Sequence, residues 1–430
     1  MRAIVSLGSN LGNREENIRK AIAAMSAFPS TSLLAQSSAM ETDGVDVPQE
    51  YADLKFINAI AIFETSLDPF EFSRRMHAAE DSLGRKRTVK NGPRTIDLDL
   101  VDFGGMAIDT PELALPHPRA ASRDFVTRPL AELGVFCFGP CELCPRKCRA
   151  ARFAPGGKAG FCGAGDKVRL FRWGPHFGEE PPISGKNGSG CIFFSRCTMK
   201  CLYCQNSPWS WKGEGLDKSI GELAGIMRSL ALDDRTENWN LVSPTPYLPF
   251  IREAAHMLAK EGVKLPFVWN SSGYERVETL EEYAGLCDWA LFDLRYSRDG
   301  TALSASAAPG YVEAARSAVR WAYAKDPSRL VVRILVLPGH AEEAIENLAW
   351  LATEVSSDVA VSVMSQYTPA YRALETPPFD RKVSEEEYSS VTEAAADFGF
   401  SNGWVQDPSS ADPALALLGE NMSPGHGSVS

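Results

Sequence analysis

The first 136 residues of this 430-residue chain contain no cysteine, and all ten cysteines fall between Cys137 and Cys287. Thiol chemistry is thereby excluded from the first third of the chain. No apolar run approaches the roughly 20 residues that a membrane helix needs, so no membrane span is expected. No long basic run offers a phosphate track, and the formal net charge is −11, which argues against general nucleic-acid binding. The opening MRAIVSLGSN has one charge, a short apolar stretch and no cleavage-like segment, so it does not read as a signal peptide. A cytoplasmic protein is the expectation. No internal repeat is present. What remains is ordinary globular composition, 44% hydrophobic and 23% charged, at a length that predicts two domains.

The cysteine-free segment predicts a compact α/β unit. AIVSLGS reads as a strand, and Asn13 followed by Glu16 reads as a capping box opening a helix. Ile18, Ala21, Ile22 and Met25 continue it at helical spacing. KFINAIAIFET predicts a strand, and Asp68-Pro69 opens a second helix running to about Gly84. The basic loop GRKRTVKNGPR, with Arg85, Lys86, Arg87, Lys90 and Arg94, leads into the strand TIDLDLVDF. On that strand Thr95, Asp97 and Asp99 share one face and Ile96, Leu98 and Leu100 the other. Two like charges so close favour a cation beside them. Magnesium suits oxygen ligands and bridges carboxylates to phosphates. An amphipathic edge strand with solvated aspartates fits the spacing equally.

The stretches SLGSNLGN, FINA, GPRTIDLDL and PHPRAASRDF together resemble the 6-hydroxymethyl-7,8-dihydropterin pyrophosphokinases of folate biosynthesis, over residues 1 to about 135. The resemblance implies a ferredoxin-like α+β domain that transfers pyrophosphate from ATP to the pterin hydroxymethyl group. It implies that Asp97 and Asp99 hold magnesium and that Arg85 and Arg94 grip phosphate. Thr42, Val45, Asn58 and Phe125 would receive the pterin, and Glu80, Arg94, His117 and Arg123 the ATP. Asn91 stands where the family often has Trp, and Glu112 where it sometimes has a basic residue. A nucleotide-binding regulatory module is the rival reading of this segment.

Beyond residue 136, GCIFFS, NWNLVSP, PFVWNSS, DWALFDLRY, RLVVRILVL and VAVSVMSQY predict strands. Helices are predicted at 246–261, 308–324 and 341–355. Alternating βα units with apolar strands predict a parallel sheet covered by helices, closed or partly closed into a barrel. Sites of such sheets lie at strand C-terminal ends, and RCTMKCLYCQN follows GCIFFS directly. Cys197, Cys201 and Cys204 form C-x3-C-x2-C. A reducing compartment disfavours disulfides, and the polar loop disfavours idle core thiols. Three thiolates supply three corners of a 4Fe–4S cluster and leave one iron open.

This motif, with Tyr203 before its third cysteine, resembles radical S-adenosylmethionine enzymes over about residues 137–410. Within them it resembles proteins similar to pyruvate formate-lyase activating enzymes. The resemblance implies a partial (β/α)6 TIM-like barrel, S-adenosylmethionine on the open iron, and an electron donor such as flavodoxin or ferredoxin. Tyr203, Ser243, Thr245, Asn270, Ser272 and Asp293 would line the cofactor site, with Arg333 and His340 as weaker candidates. The family's Asp-x-Lys pair reads Asp293-Leu-Arg295 here, and Arg is not equivalent to Lys in geometry. The radical substrate is a partner protein, as for a glycyl-radical activase, or a small molecule; a metal-stapled non-catalytic module is the third reading.

Upstream, Cys141, Cys144, Cys148 and Cys162 suit zinc or a second iron–sulfur cluster. Cys137, Cys191 and Cys287 read as small buried hydrophobes. The expected organisation is residues 1–136, a cysteine-rich extension at 137–189, a barrel at 190–410 and a tail at 411–430.

Overall fold

The computed structural model describes residues 1–45, 47–51, 53–85, 92–135, 137–153, 159–406 and 424–426. Lys86, Arg87, Lys90 and Asn91 of the basic loop, and most of the expected tail, lie outside the described residues. The chain divides into two units: Met1–Cys141 with Arg149–Gly160, and Glu142–Cys148 with Phe161–Ser430.

In the first unit, β1 (Arg2–Ser9) is the centre of an antiparallel sheet. It pairs with β4 (Phe56–Thr65) on one side and β5 (Asp97–Phe103) on the other. β2 (Thr31–Gln36) and β3 (Met40–Thr42) add to the far edge of β4. The patterning does not announce these two, because Leu33 and Leu34 on β2 stay largely exposed. A hairpin of β6 (Ile108–Asp109) and β7 (Ala114–Leu115) follows β5.

Helices cover both faces, which is why β1 is buried at every position after Arg2. α1 (Arg14–Ser26) and α2 (Pro69–Ser82) press Ile18, Ala21, Ile22, Met25, Phe72 and Met76 against Ala3, Val5 and Leu7. α3 (Asp124–Glu132) packs Val126 and Leu130 against Ile4, Ile60 and Ile62 on the other face. The caps are where the sequence placed them. Asn13 Oδ1 accepts from the Glu16 N–H at 3.2 Å, and Asp68 Oδ1 accepts from those of Phe70 and Glu71. The Glu16 carboxylate pairs with Arg19 and Lys20.

In the second unit all six predicted strands are present: β9 (Ser189–Phe194), β11 (Trp239–Val242), β12 (Phe267–Ser271), β13 (Trp289–Asp293), β14 (Leu330–Leu335) and β15 (Ala360–Met364). They lie side by side in chain order, all parallel, and the short β16 (Gly403–Val405) extends the run. The other edge departs from expectation. β8 (Val168–His176) precedes the first predicted strand and pairs antiparallel to β9, with β10 (Leu216–Lys218) beyond it. Pro175 and an irregular burial pattern hide β8 in the sequence. β17 (Gly425–His426), inside the expected tail, pairs with β8. Helices Leu248–Lys260, Tyr311–Lys325 and Ala341–Glu354 match those predicted.

One face of these strands changes character along its length. Val268, Leu291 and Val331 form an apolar layer with Ile183. One strand repeat further on stand Asn270, Asp293 and Arg333, paired in register as Leu291↔Asn270 and Asp293↔Arg333. Polar side chains thus gather toward the strand C-terminal ends.

Gly273 makes the turn after β12. Its φ is +75°, and a Cβ there would stand 2.4 Å from the Asp293 carbonyl oxygen. Gly262 has a similar φ of +78° with nothing within 4 Å. Gly262→Ala should therefore cost about 1 kcal/mol from backbone strain alone. Gly273→Ala should cost more, on the order of 3 kcal/mol. Urea unfolding of the two variants beside the parent checks the order of the losses; equal losses would contradict the close-approach account.

Candidate active sites

In the first unit β1 and β5 meet at a cavity of about 220 Å³. Thr42, Val45, Asn58, Arg85, Arg94, Asp97, Asp99, Arg123 and Phe125, all expected from the sequence, line it. The alternation on β5 is as read: Ile96, Leu98 and Leu100 are buried while Asp97 and Asp99 face the cavity. Arginines hold both carboxylates. Arg85 Nη2 stands 2.7 Å and Arg94 Nε 3.2 Å from Asp97, and Arg123 Nη1 stands 3.6 Å from Asp99. Burial, and then the charge of Asp97, push the Asp99 carboxyl upward, opposed by His117, Arg123 and Arg94. Burial likewise pushes His117 down, opposed by Asp99.

The loop geometry explains why SLGSN and GPR occur together. Asn10, after β1, accepts from the Arg94 N–H through Oδ1 at 2.7 Å and donates its own N–H to the Arg94 carbonyl at 3.2 Å. That fixes where Arg94 enters the cavity. Glu80 does not line the cavity. It is fully buried, accepts from the Leu98 N–H at 2.7 Å and pairs with Arg85, so it acts on the site through Arg85. His117 Nδ1 accepts from the Arg119 N–H at 3.2 Å. Asn58 donates to Thr42 Oγ1 at 2.8 Å. Gly8 leaves room beside Asn58, since a Cβ would stand 3.1 Å from its Oδ1. Sequence reasoning missed Arg119, which also lines the cavity and was legible within PHPRAASRDF.

In the second unit a cavity of about 440 Å³ opens at the strand C-terminal ends. Cys197, Cys201, Cys204, Tyr203, Ser243, Asn270, Ser272, Asp293 and Arg333 line it as expected. The cysteine loop is pinned from several sides. The Lys200 and Leu202 N–H groups donate to the carbonyls of Ser306 and Ala305, and Trp211 Nε1 donates to the Cys201 carbonyl at 3.1 Å. Cys197 Sγ accepts from the Met199 N–H at 3.5 Å, and Cys204 Sγ lies 3.1 Å from Ser210 Oγ. Burial, then the neighbouring Cys201, push the Cys197 and Cys204 thiols up, Cys204 to about 12. Among the described residues no three His, Cys, Asp or Glu side chains are gathered at metal-holding distance. Tyr203 is buried against Phe379, and its hydroxyl meets that of Tyr296. Ser243 adopts a φ of +59° at the end of β11.

Thr245 departs from its expected place. It does not line the cavity; it is buried and donates to Glu275 Oε1 at 2.6 Å. Its position after the strand was legible, its side-chain direction was not. His340 stacks on Phe379 and bonds Glu343. Glu179 was missed altogether. It accepts from Asn240 at 3.0 Å and Asn270 at 3.2 Å, and with Glu180 it pairs Arg333. Of the upstream cysteines, Cys141 belongs to the first unit and Cys144, Cys148 and Cys162 to the second. Cys141 Sγ accepts from Arg152 Nε at 3.2 Å, and Cys162 Sγ from the Ala164 N–H at 3.4 Å. Cys191 and Cys287 are buried as expected, whereas Cys137 is only half-buried. Among the described residues no helix is long and apolar enough to cross a membrane.

Residues 4–135 match the family model for 7,8-dihydro-6-hydroxymethylpterin-pyrophosphokinase, and residues 191–352 that of the Radical SAM superfamily. The 2-amino-4-hydroxy-6-hydroxymethyldihydropteridine pyrophosphokinase of Bacillus subtilis is 42% identical over 132 residues, 30% of this chain and 77% of its own. That of Pseudomonas aeruginosa is 39% identical over 133 residues, 31% of this chain and 80% of its own. An uncharacterized protein of Methanocaldococcus jannaschii is 28% identical over 275 residues, 61% of this chain and 76% of its own. A solved structure described as native anSMEcpe with bound AdoMet overlays 47% of this chain and 57% of its own, at 11% identity and a TM-score of 0.35. A likeness that loose carries no argument.

Glu275, beneath Thr245, supplies a pH test. Burial raises its carboxyl to about 7, against hydrogen bonds from Thr245, Ser271 and Trp269 that lower it. A carboxyl raised on folding binds its proton more tightly in the folded chain. Its stabilising effect is full below the unfolded value of 4.5 and is lost as pH rises through about 7. Glu275→Gln should therefore gain stability relative to the parent between pH 5 and pH 8, by on the order of 3 kcal/mol. Urea unfolding at the two pH values measures the difference; a gap that stays constant contradicts the buried-acid assignment.

Proposed function

The chain belongs to the 7,8-dihydro-6-hydroxymethylpterin-pyrophosphokinase family through residues 4–135 and carries a radical SAM domain over residues 191–352, and from that premise we propose the chemistry of each unit. The first unit holds a ferredoxin-like domain, residues 1–136, that transfers pyrophosphate from ATP to 6-hydroxymethyl-7,8-dihydropterin. The observation that carries this reading is the single cavity holding Asp97, Asp99 and Asn58 with four arginines.

The carboxylate pair fits magnesium by its chemistry. Asp97 and Asp99 share one strand face, and the upward push on Asp99 is what a divalent cation would relieve. Magnesium bound there would neutralise phosphate charge and align the transferred group. Around it, Arg85 and Arg94 grip the phosphates, and Arg123 with His117 meets the nucleotide. Glu80, buried under Arg85, keeps that guanidinium aimed inward. Asn58 and Thr42 read the pterin edge, while Phe125 and Val45 cover its ring. Positioning and charge neutralisation then supply most of the rate.

The second unit holds a partial (β/α)6 barrel over residues 190–410, and the cysteine-rich stretch 137–189 is divided between the two units. The thiols of the C-x3-C-x2-C loop fit an iron–sulfur cluster by donor chemistry: all three line one cavity, and the sulfurs of Cys197 and Cys201 accept hydrogen bonds from the Met199 N–H and Arg295. A 4Fe–4S cluster held by Cys197, Cys201 and Cys204 would supply the electron that cleaves S-adenosylmethionine to methionine and a 5′-deoxyadenosyl radical. Asn270, Ser272 and Asp293, at the strand ends, bind and orient the adenosylmethionine, and Ser243 and Tyr203 wall it in. An external electron donor is required. The hydrogen donor is a partner protein or a small molecule.

Purified protein should release AMP from ATP only with the hydroxymethyl pterin and magnesium. Asp97→Ala should lower that rate at least about a hundredfold; AMP release that persists overturns the assignment of Asp97. Iron-loaded protein, reduced under anaerobic conditions, should form 5′-deoxyadenosine from S-adenosylmethionine. No 5′-deoxyadenosine from protein with a full iron count would leave the barrel a metal-stapled module.

A further inference from the structure

Arg295 lies two residues beyond the end of β13 and faces the same cavity as the cysteine loop. Its guanidinium is divided between two partners. Nε donates to Asp293 Oδ2 at 2.9 Å, and Nη2 donates to the same oxygen. Nη1 donates to Cys201 Sγ at 3.3 Å. The backbone is fixed too: the Arg295 N–H donates to Tyr311 Oη at 3.0 Å, and Tyr311 donates to the Ser272 carbonyl at 2.8 Å. The arginine therefore links a strand-end carboxylate to one sulfur of the C-x3-C-x2-C loop.

A lysine would make this link with a different geometry. Its three N–H donors radiate from one nitrogen, whereas the planar fork of arginine offers separate nitrogens in fixed directions. Arg295 uses one edge of that fork on Asp293 and the remaining nitrogen on Cys201. The departure from Asp-x-Lys to Asp293-Leu-Arg295 thus has a geometric consequence.

We propose that Arg295 is a positioning residue that holds the Cys201 sulfur and raises the reduction potential of the cluster bound by that loop. The proposal rests on the reading of Cys197, Cys201 and Cys204 as cluster ligands. A reduced cluster carries one more negative charge than an oxidised one. A positive group donating a hydrogen bond to a ligating sulfur stabilises the reduced form more, which moves the potential upward. Asp293 keeps the donor aimed and at the same time offsets part of its charge.

The test is a redox titration of anaerobically reconstituted full-length protein, followed by the electron paramagnetic resonance signal of the reduced cluster without S-adenosylmethionine. Parent, Arg295→Lys and Arg295→Met are compared, each with iron and sulfide counts. The potential should shift to more negative values in Arg295→Lys, which keeps the charge and loses the fork. It should shift further in Arg295→Met, which loses both. Parent-like potentials in the loaded variants overturn the proposal. Should Arg295→Met fail to take up iron, Arg295→Lys decides alone, and an unchanged potential there overturns it. A parent protein that takes up no cluster defeats the cluster reading itself, an outcome the iron count separates from an unshifted potential.

Discussion

Asp97 and Asp99 point the same way because an extended strand repeats every two residues, and Asn270, Asp293 and Arg333 converge for the same reason. That period is the constraint on which both cavities depend. In the first unit it sends Leu98 and Leu100 into the core while the carboxylates between them face outward. In the second it turns one face from the apolar layer of Val268, Leu291 and Val331 to the polar layer above it. Slipping either strand by one residue would exchange buried apolar side chains for charges. The same packing that stabilises each sheet therefore fixes the register of its functional groups.

Gathering like groups has a cost, and each unit offsets it with buried arginine pairs. Arg85 bridges the fully buried Glu80 and the cavity-facing Asp97. Arg333 does the same for Glu179 and Glu180, and Glu179 also takes hydrogen bonds from Asn240 and Asn270. Removing one partner of such a pair leaves a buried charge uncompensated, commonly worth about 3–5 kcal/mol. These pairs hold the cavity walls in one arrangement before any ligand arrives. Arg295 extends the scheme by joining a carboxylate to a thiol.

Much of this was legible in the chain. The alternation of TIDLDL gave the aspartate face, the Asn13 and Asp68 caps gave two helix starts, and six apolar runs gave six parallel strands. What escaped has physical reasons. β2 and β3 bury little, so no period marks them. β8 contains Pro175 and mixed burial. Glu179 sits in EEPP, where local pattern suggests a solvated turn, and only tertiary packing carries it to Arg333. Thr245 was placed at the right strand end, but a side chain just past a strand has no fixed face, and Glu275 captures it. Glu80 and Asn10 act through backbone and ion-pair contacts that a one-dimensional reading does not contain.

Each cavity is lined wholly by residues of its own unit, so the chemistry proposed for one should not depend on the other. The most direct measurement is pterin-dependent AMP release by full-length Cys201→Ser protein, assayed beside the parent at saturating ATP and magnesium. The rate should be unchanged, because none of the groups around Asp97 and Asp99 is touched. A rate that falls with the loss of Cys201 would mean that the two sites are not independent.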